Sequence, residues 1–233
     1  MLQPNSFRTC QLAEAAHQKD FEVSDFADWA LYSRNHLRPF KTSYHSMELQ
    51  HVNIKIFAAE LQVDLERFIE IFHRWIADKM TSEMLIDVAD YRHVPDGPGV
   101  VLVGHEADYA LDNAGGQLGL LYNRKDAIAG SNKERLKQSL RSAAWACQQL
   151  ESELEGETLQ FNRQEFAIII NDRALAPNTD ETMATVKPEL EAFLSETLGH
   201  DQFSMERQFN DPRCRFGVVV RAAQSFDLTA LAS

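Results

Sequence analysis

The segment Met84–Lys125, MLIDVADYRHVPDGPGVVLVGHEADYALDNAGGQLGLLYNRK, carries most of the information about the fold. Two clusters of turn-forming residues interrupt it, PDGPG at 95–99 and NAGG at 113–116. Proline and glycine break a β-ladder, so each cluster predicts a turn. The apolar and β-branched stretches outside the turns predict three consecutive strands, of which the last two form a hairpin.

Upstream of this segment the pattern predicts one strand and one helix. The stretch MELQHVNIKIFA predicts a strand over about 48–58, because valine and isoleucine alternate there with polar residues. An amphipathic helix is expected over about 64–79, with Asp64 at its N-cap.

Downstream, a second helix is marked by a capping box, in which Ser131 and Glu134 each satisfy a free backbone N–H group at the helix start. Gly156 is expected to end this helix. One narrow apolar seam runs along it, with spacings of three and four residues that place its members on one face. The seam consists of Leu136, Leu140, Ala143, Cys147, Leu150 and Leu154.

The C-terminal part of the chain completes the pattern. It predicts a strand over about 158–172, a third helix that ends at Gly199, and a last strand over about 202–222 with an interruption near Asn210. Pro188 predicts a kink or a split in the third helix, because proline lacks the backbone N–H and clashes with the preceding turn.

The predicted order from Met47 is β-α-β-β-β-α-β-α-β. This order contains too few βαβ units for a doubly wound nucleotide-binding fold. It predicts an α+β fold with a single mixed, mainly antiparallel sheet and the helices packed on one face. The sequence shows no solenoid-like repeat and no low-complexity linker, so residues 47–233 are expected to form one domain.

Residues 1–46 differ from the rest of the chain. Their five basic and five acidic residues balance, and they show no sustained period of two or 3.6. Two hypotheses remain open: this N-terminal extension is a docking arm, or Met47 is the natural start and the extension lies outside the core domain. The second is favoured, because the predicted core begins with a strand directly after Met47.

Composition limits the classes of function. The net charge of -12 argues against binding to nucleic acid or to anionic lipid, since both require a basic surface. No apolar run approaches the roughly 20 residues of a membrane helix, and the N-terminus lacks the apolar region of a signal peptide. The three cysteines, Cys10, Cys147 and Cys214, lack a metal-binding spacing and predict reduced thiols in a cytoplasmic protein.

Several segments resemble a small family of uncharacterised bacterial proteins. They are MELQHVNIKIFA, VDLERFIEIFHRWI, LIDVADYRHVP, GPGVVLVGHEADYALDN and GLLYNRK. The resemblance covers residues 47–222 approximately and does not include the N-terminal extension. It implies no activity, cofactor or site residue, and it favours Met47 as a natural start.

The stretch Val100–Asp112, predicted as one strand, contains three residues of chemical interest. Strict alternation places His105 on the apolar face, and Glu106 and Asp108 together on the opposite face. The two carboxylates could hold a hard cation or act as acid and base, or they could belong to a solvated polar face. His105 lacks a second histidine at helical spacing, so a buried structural histidine is favoured over a zinc ligand. The predicted hairpin register pairs Asp108 with Leu121.

Other polar residues could join these carboxylates on the open face of the sheet. His51, Asn53 and Lys55 alternate along the first strand, and Asp87 lies on the second. With eight histidines in the chain, chance proximity competes with a genuine metal site, so neither a metal nor a cofactor is assigned.

Two hypotheses for function follow from the absence of any catalytic motif. The first is a non-enzymatic domain that binds a protein partner or self-associates through the second face of its sheet, where Leu102 and Leu121 are expected. The second is a small-molecule or metal-dependent enzyme that uses the polar cluster. Its proposed chemistry depends on His51, Asp87, Glu106 and Asp108.

Overall fold

The structure is a computed structural model that describes residues 47–95, 97–154 and 158–233. The prediction for residues 1–46 and the predicted stop at Gly156 lie outside these residues. The strands are β1 Val52–Leu61, β2 Leu85–Tyr91, β3 Gly99–Gly104, β4 Ala107–Asp112, β5 Gly119–Arg124, β6 Leu159–Ile170, β7 Phe203–Arg207 and β8 Phe216–Ala222. The helices are α1 Leu65–Asp78, α2 Asn132–Glu153, α3 Asp180–Leu198 and α4 Leu228–Leu231.

All eight strands form one sheet in the order β2-β3-β4-β5-β1-β6-β8-β7. Every neighbouring pair is antiparallel. The prediction of an α+β fold with a single, mainly antiparallel sheet is therefore confirmed.

The sheet is built from two similar halves that meet at β1 and β6. Each of these central strands is followed by a helix and later by a hairpin, β4–β5 in the first half and β7–β8 in the second. In both halves the second hairpin strand pairs with the central strand. The β2–β3 hairpin is the addition in the first half, and the connection from α1 to β2 contributes to the site described below.

The prediction of one strand over Val100–Asp112 is wrong, because β3 ends at Gly104 and β4 begins at Ala107. The chain reverses at His105 and Glu106, and the N–H group of His105 donates to the carbonyl of Met84 at 2.7 Å. A Cβ atom at position 104 would lie 2.3 Å from the carbonyl oxygen of Ala107, so this reversal requires glycine.

The reversal inverts the predicted facing of β3. Leu102 lies in the core on the helical side, whereas alternation carried through position 105 places it on the opposite face. The β4–β5 register also differs by two residues from the prediction, since Asp108 pairs with Asn123. The reason is a longer turn that contains a 3₁₀ segment at Ala114–Gly116 and leaves Asp112 opposite Gly119.

The predicted last strand also consists of two strands, β7 and β8, which form a hairpin. In contrast, α3 continues as one helix through Pro188, so of the two predicted alternatives, a kink or a split, the split is wrong. Pro188 and Ala184 are both exposed, and the carbonyl that loses its helical donor can therefore be hydrated.

The local signals for the helix ends are confirmed. Asp64 caps α1 by accepting from the N–H group of Glu66, and Ser131 and Glu134 form the capping box of α2. Gly199 ends α3 in the left-handed conformation that glycine adopts without strain. All six members of the α2 seam are buried.

The two faces of the sheet differ in what packs against them. Residues from α1, α2 and α3 share one large apolar cluster with the sheet, so the helices lie on one face. The cluster on the opposite face consists of Phe57, Ala167, Ile169 and Val219, with Leu121 against it, and includes no residue of the described helices. Its four members are buried, and Leu121 is partly buried against them.

Candidate functional site

A cavity of about 440 Å³ opens on the helical side of the sheet. Its walls come from the α1–β2 connection, from β4, from one face of α2 and from the C-terminal segment. The lining residues are Met80, Thr81, Ser82, Glu83, Tyr109, Gln138, Arg141, Ser142, Trp145 and Ala232. Polar and aromatic side chains therefore converge on one concave space, which is typical of small-molecule sites.

Glu83 is the charged group at the inner side of this cavity, where it is only 8% exposed. Its carboxylate accepts hydrogen bonds from the hydroxyls of Tyr122 at 3.0 Å and Tyr109 at 3.3 Å. Ser82 contributes a third hydroxyl at 3.4 Å. Within the part of the chain that the structure describes, Glu83 has no ion-pair partner, and the donors to its carboxylate are neutral hydroxyls. Arg141, which also lines the cavity, donates to the carbonyl of Ala232 instead.

Four residues of α2 face the cavity together: Gln138, Arg141, Ser142 and Trp145. Their spacing of three and four residues places them on one stripe of the helix. Gln138 donates to the hydroxyl of Tyr122 at 2.8 Å, and this hydroxyl in turn donates to Glu83. The hydrogen-bond chain thus links α2 to the α1–β2 connection.

Aromatic rings form the wall beside the carboxylate. The rings of Tyr109 and Tyr122 lie directly opposite each other on β4 and β5, with centroids 5.1 Å apart. The ring centroid of Trp145 lies 6.5 Å from that of Tyr109 and 5.0 Å from that of Trp75 of α1. Because Trp75 also donates to Glu153 of α2, the aromatic wall joins both helices to the sheet.

Both tyrosines remain neutral donors near neutral pH. Burial raises the pKa of Tyr122 to about 12, and the negative charge of Glu83 acts in the same direction. Burial, followed by the charge of Glu83, raises the pKa of Tyr109 well above its usual range. The hydroxyls therefore keep their protons and continue to donate to the carboxylate.

The residues singled out from the sequence lie elsewhere. His105, expected to be buried, occupies the β3–β4 turn with a side chain that is 60% exposed. Its Nδ1 atom lies 3.7 Å from Glu106 and 3.9 Å from Asp126. Glu106 accepts from the N–H group of Met84 at 2.8 Å, and this bond lowers the pKa of the carboxyl. Glu106 therefore stabilises the β3–β4 turn beside β2, and His105 lies exposed in that turn.

Asp108 is held by structural partners on the other face of the sheet. Its carboxylate accepts from the N–H group of Gly104 at 3.1 Å and from the side chain of Asn123 at 3.2 Å. Lys125 donates to it at 2.8 Å. The structure thus separates the roles of Glu106 and Asp108, which do not form an open carboxylate pair.

Asn53 and Lys55 are both buried on the second face of the sheet. Lys55 lies 2.6 Å from Asp112, and Asn53 accepts from the N–H group of Arg124 at 3.1 Å. His51 precedes β1 with a φ of 52°, and its carbonyl accepts from Asn171. His51 is thus placed at the start of β1 and not beside the carboxylates.

Asp87 is exposed on β2, where its carboxylate accepts from the N–H group of Val88. β3 lies between β2 and β4, so Asp87 and Asp108 are about 10 Å apart across the sheet. Among the described residues, no three His, Cys, Asp or Glu side chains lie close enough to hold a metal ion. The proposed polar cluster is therefore dispersed over several places.

Sequence reasoning missed the cavity because its central residue lies in a connection. Glu83 has no periodic context, and its tyrosine partners are 26 and 39 residues away. One signal was available: Gln138, Ser142 and Trp145 form a second stripe on α2 beside the apolar seam. A polar and aromatic stripe next to a buried seam indicates a wall of a cavity rather than a solvated face.

Comparison with models of known protein families finds no family that matches the chain. Comparison with curated proteins finds no matching protein either. The resemblance over residues 47–222 therefore stays a prediction. None of the helices that the structure describes combines the length and the apolar character needed to cross a lipid bilayer.

Proposed function

We propose that the protein binds a small organic molecule that carries an amino group, in the cavity around Glu83. The observation that supports this proposal is a buried carboxylate that lines a cavity and has only neutral hydrogen-bond donors among the described residues. In such a site of low dielectric constant, the attraction between a carboxylate and a cation exceeds that in water.

The aromatic wall favours the same class of ligand. Tyr109 and Trp145 both line the cavity, and the faces of such rings attract cations through their negative electrostatic potential. The volume of about 440 Å³ suits a small molecule rather than a peptide. A ligand with an ammonium group next to a compact apolar part would satisfy the carboxylate and the rings together.

The lining supports binding rather than catalysis. The raised pKa values of Tyr109 and Tyr122 keep their hydroxyls from acting as general bases near neutral pH. Ser142 accepts from Gln138 at 3.2 Å, and this amide cannot remove a proton from it. The proposal therefore retains a non-enzymatic function and changes the partner from a protein to a small molecule.

Calorimetric titration with benzylamine tests this proposal, with benzyl alcohol as the neutral analogue of similar shape. We expect wild type to prefer the amine, and Glu83→Gln to weaken amine binding by about ten-fold or more, the size of a lost charged hydrogen bond. Met80→Lys, at the exposed rim of the cavity, should also weaken it by supplying a competing ammonium group.

Glu106→Gln is the matched control, because Glu106 belongs to the same region but does not line the cavity. Circular dichroism of each variant establishes that it is folded. Equal affinity of wild type for the amine and the alcohol, or unchanged amine binding in Glu83→Gln, would show that the carboxylate does not recognise a cation.

We further propose self-association through β2, which is a second candidate function. β2 is an edge strand, and its surroundings expose Met84 by 59%, Ile86 by 56% and Tyr91 by 44%. An edge strand offers free backbone donors and acceptors to a second copy of the same strand. Sedimentation equilibrium should show a dimer that Ile86→Lys dissociates and Leu175→Lys, at an exposed apolar position outside β2, leaves intact. A monomeric wild type would eliminate this candidate.

A further inference from the structure

A second cavity, of about 400 Å³, lies on the face of the sheet opposite the described helices. Leu121 and Ile169 of the second apolar cluster form part of its floor. The β6–α3 connection contributes Arg173, and the β7–β8 connection contributes Arg213 and Arg215. Its walls are thus apolar at the base and cationic around the opening.

The cavity has an excess of positive charge in an otherwise acidic protein. Lys55, Arg173, Arg213 and Arg215 line it, against the single carboxylate of Asp112. Two of the cations are neutralised, because Lys55 pairs with Asp112 at 2.6 Å and Arg213 pairs with Asp211 at 2.7 Å. Among the described residues Arg173 and Arg215 form no ion pair. Two guanidinium groups therefore remain uncompensated although the chain carries a net charge of -12.

Lys55 adds hydrogen-bond donors at the floor of the cavity. Its ammonium group has three N–H bonds, and Asp112 is its one hydrogen-bond acceptor in the described part of the chain. The side chain is 3% exposed, and the ring of Phe57 lies 5.9 Å from Nζ. Because Lys55 lines the cavity, an oxyanion bound there would supply acceptors for the remaining N–H bonds.

We propose that this second cavity binds a small organic dianion, with Arg173 and Arg215 at its charged end and Lys55 as a donor from the floor. Two uncompensated guanidinium groups match the charge of a phosphate monoester or a dicarboxylate. Leu121 and Phe209 provide apolar surface for the organic part. This site is independent of the function proposed above, since it lies on the other face and selects the opposite charge.

Cys214 provides a readout inside the cavity. It lines the cavity and is half-buried, whereas Cys147 is fully buried and burial raises the pKa of its thiol. Thiol alkylation followed at the peptide level therefore reports on Cys214 separately from the other cysteines. A ligand between the arginines would shield this thiol.

Inorganic phosphate and succinate serve as probes in calorimetric titrations at low ionic strength. Each probe is titrated into wild type, into the double variant Arg173→Gln/Arg215→Gln and into the single variant Arg221→Gln. Arg221 is the matched control, because it is exposed, lies on β8, pairs with Glu165 and Glu206 and does not line the cavity. We expect at least one probe to bind wild type and the control alike. The double variant should bind about ten-fold or more weakly, as expected for lost charged hydrogen bonds.

The same probe should slow alkylation of Cys214 in wild type and not in the double variant. Comparing the affinities for phosphate and for succinate identifies which dianion the cavity prefers. The proposal is overturned if neither probe binds wild type, if the double variant binds as tightly as wild type, or if Arg221→Gln loses affinity equally.

Discussion

Replacing Lys55 by methionine tests the interior of the second face of the sheet. The substitution keeps the length of the side chain and removes the ammonium group from its ion pair with Asp112. The side chains of the pair are 3% and 10% exposed, and their charged atoms lie 2.6 Å apart. Lys55 on β1 lies opposite Leu121 of β5, and its side chain reaches diagonally across β5 to Asp112 on β4, which lies opposite Gly119.

The expected loss follows from the unpaired carboxylate that remains. Removing one partner of a buried ion pair costs about 3–5 kcal/mol, because the other charge stays desolvated. Replacing both partners by apolar residues, in Lys55→Met/Asp112→Leu, is expected to restore most of this loss, since apolar pairs of similar volume are often as stable. The ion pair therefore constrains this position more than it stabilises the fold.

Urea denaturation of wild type, both single variants and the double variant measures the coupling free energy between the two residues. Lys133→Met is the control, because Lys133 pairs with Glu196 at 2.5 Å but both side chains are more than half exposed. It should cost at most about 1 kcal/mol. A similarly small loss in Lys55→Met would refute the reasoning, since it would mean that the pair is hydrated.

The remaining predictions concern the core, one tyrosine and the β3–β4 turn. On the α2 seam, Leu140→Ala should lower the free energy of unfolding by about 2–5 kcal/mol, and Cys147→Asp should lower it at least as much, because both sites are buried. Urea midpoints of the two variants equal to that of wild type would contradict this prediction. The pKa of Tyr122 is raised from 10.0 to about 12, so the folded state holds the phenol proton more tightly than the unfolded state does. The resulting contribution to the free energy of unfolding is full below pH 10 and is lost as the pH rises towards 12. In urea titrations over this range, wild type should lose about 2–3 kcal/mol more than Tyr122→Phe, and equal losses would exclude the shift. In the same assay, Asp108→Asn should lower the free energy of unfolding by about 1–3 kcal/mol, because three donors face that carboxylate. Glu106→Gln on the exposed turn should lower it less. Equal losses in the two variants would show that Asp108 is not fixed by its partners.

Local chemistry explains which elements could be predicted. A capping box at Ser131 or a left-handed stop at Gly199 depends on residues within one helical turn, so its signal is complete in a few positions. The α2 seam is similar, because helical periodicity alone places Leu140 and Cys147 on one side. These predictions agree with the structure since no distant residue is needed to make them.

The predictions that disagree with the structure concern places where close backbone contacts decide the path of the chain. The reversal at His105 contains no pair of typical turn residues, and Gly104 acts through its distance to the Ala107 carbonyl, which exists only after the chain has turned. An alternating pattern that continues through such a turn predicts one long strand. Because side chains alternate between the two faces of a strand, failing to predict this turn also placed Leu102 on the wrong face of the sheet.

The sequence by itself determined the α+β class, the mainly antiparallel sheet, the N-caps of α1 and α2, the end of α3 and the core face of α2, because periodicity and capping are short-range. Only the tertiary structure decided the site. It placed Glu83 from an irregular connection between tyrosines of β4 and β5, and it brought Lys55 to Asp112 across a third strand. A buried charge acquires its chemistry from neighbours that are distant in sequence, and strand order, which local propensity does not encode, decides which neighbours those are.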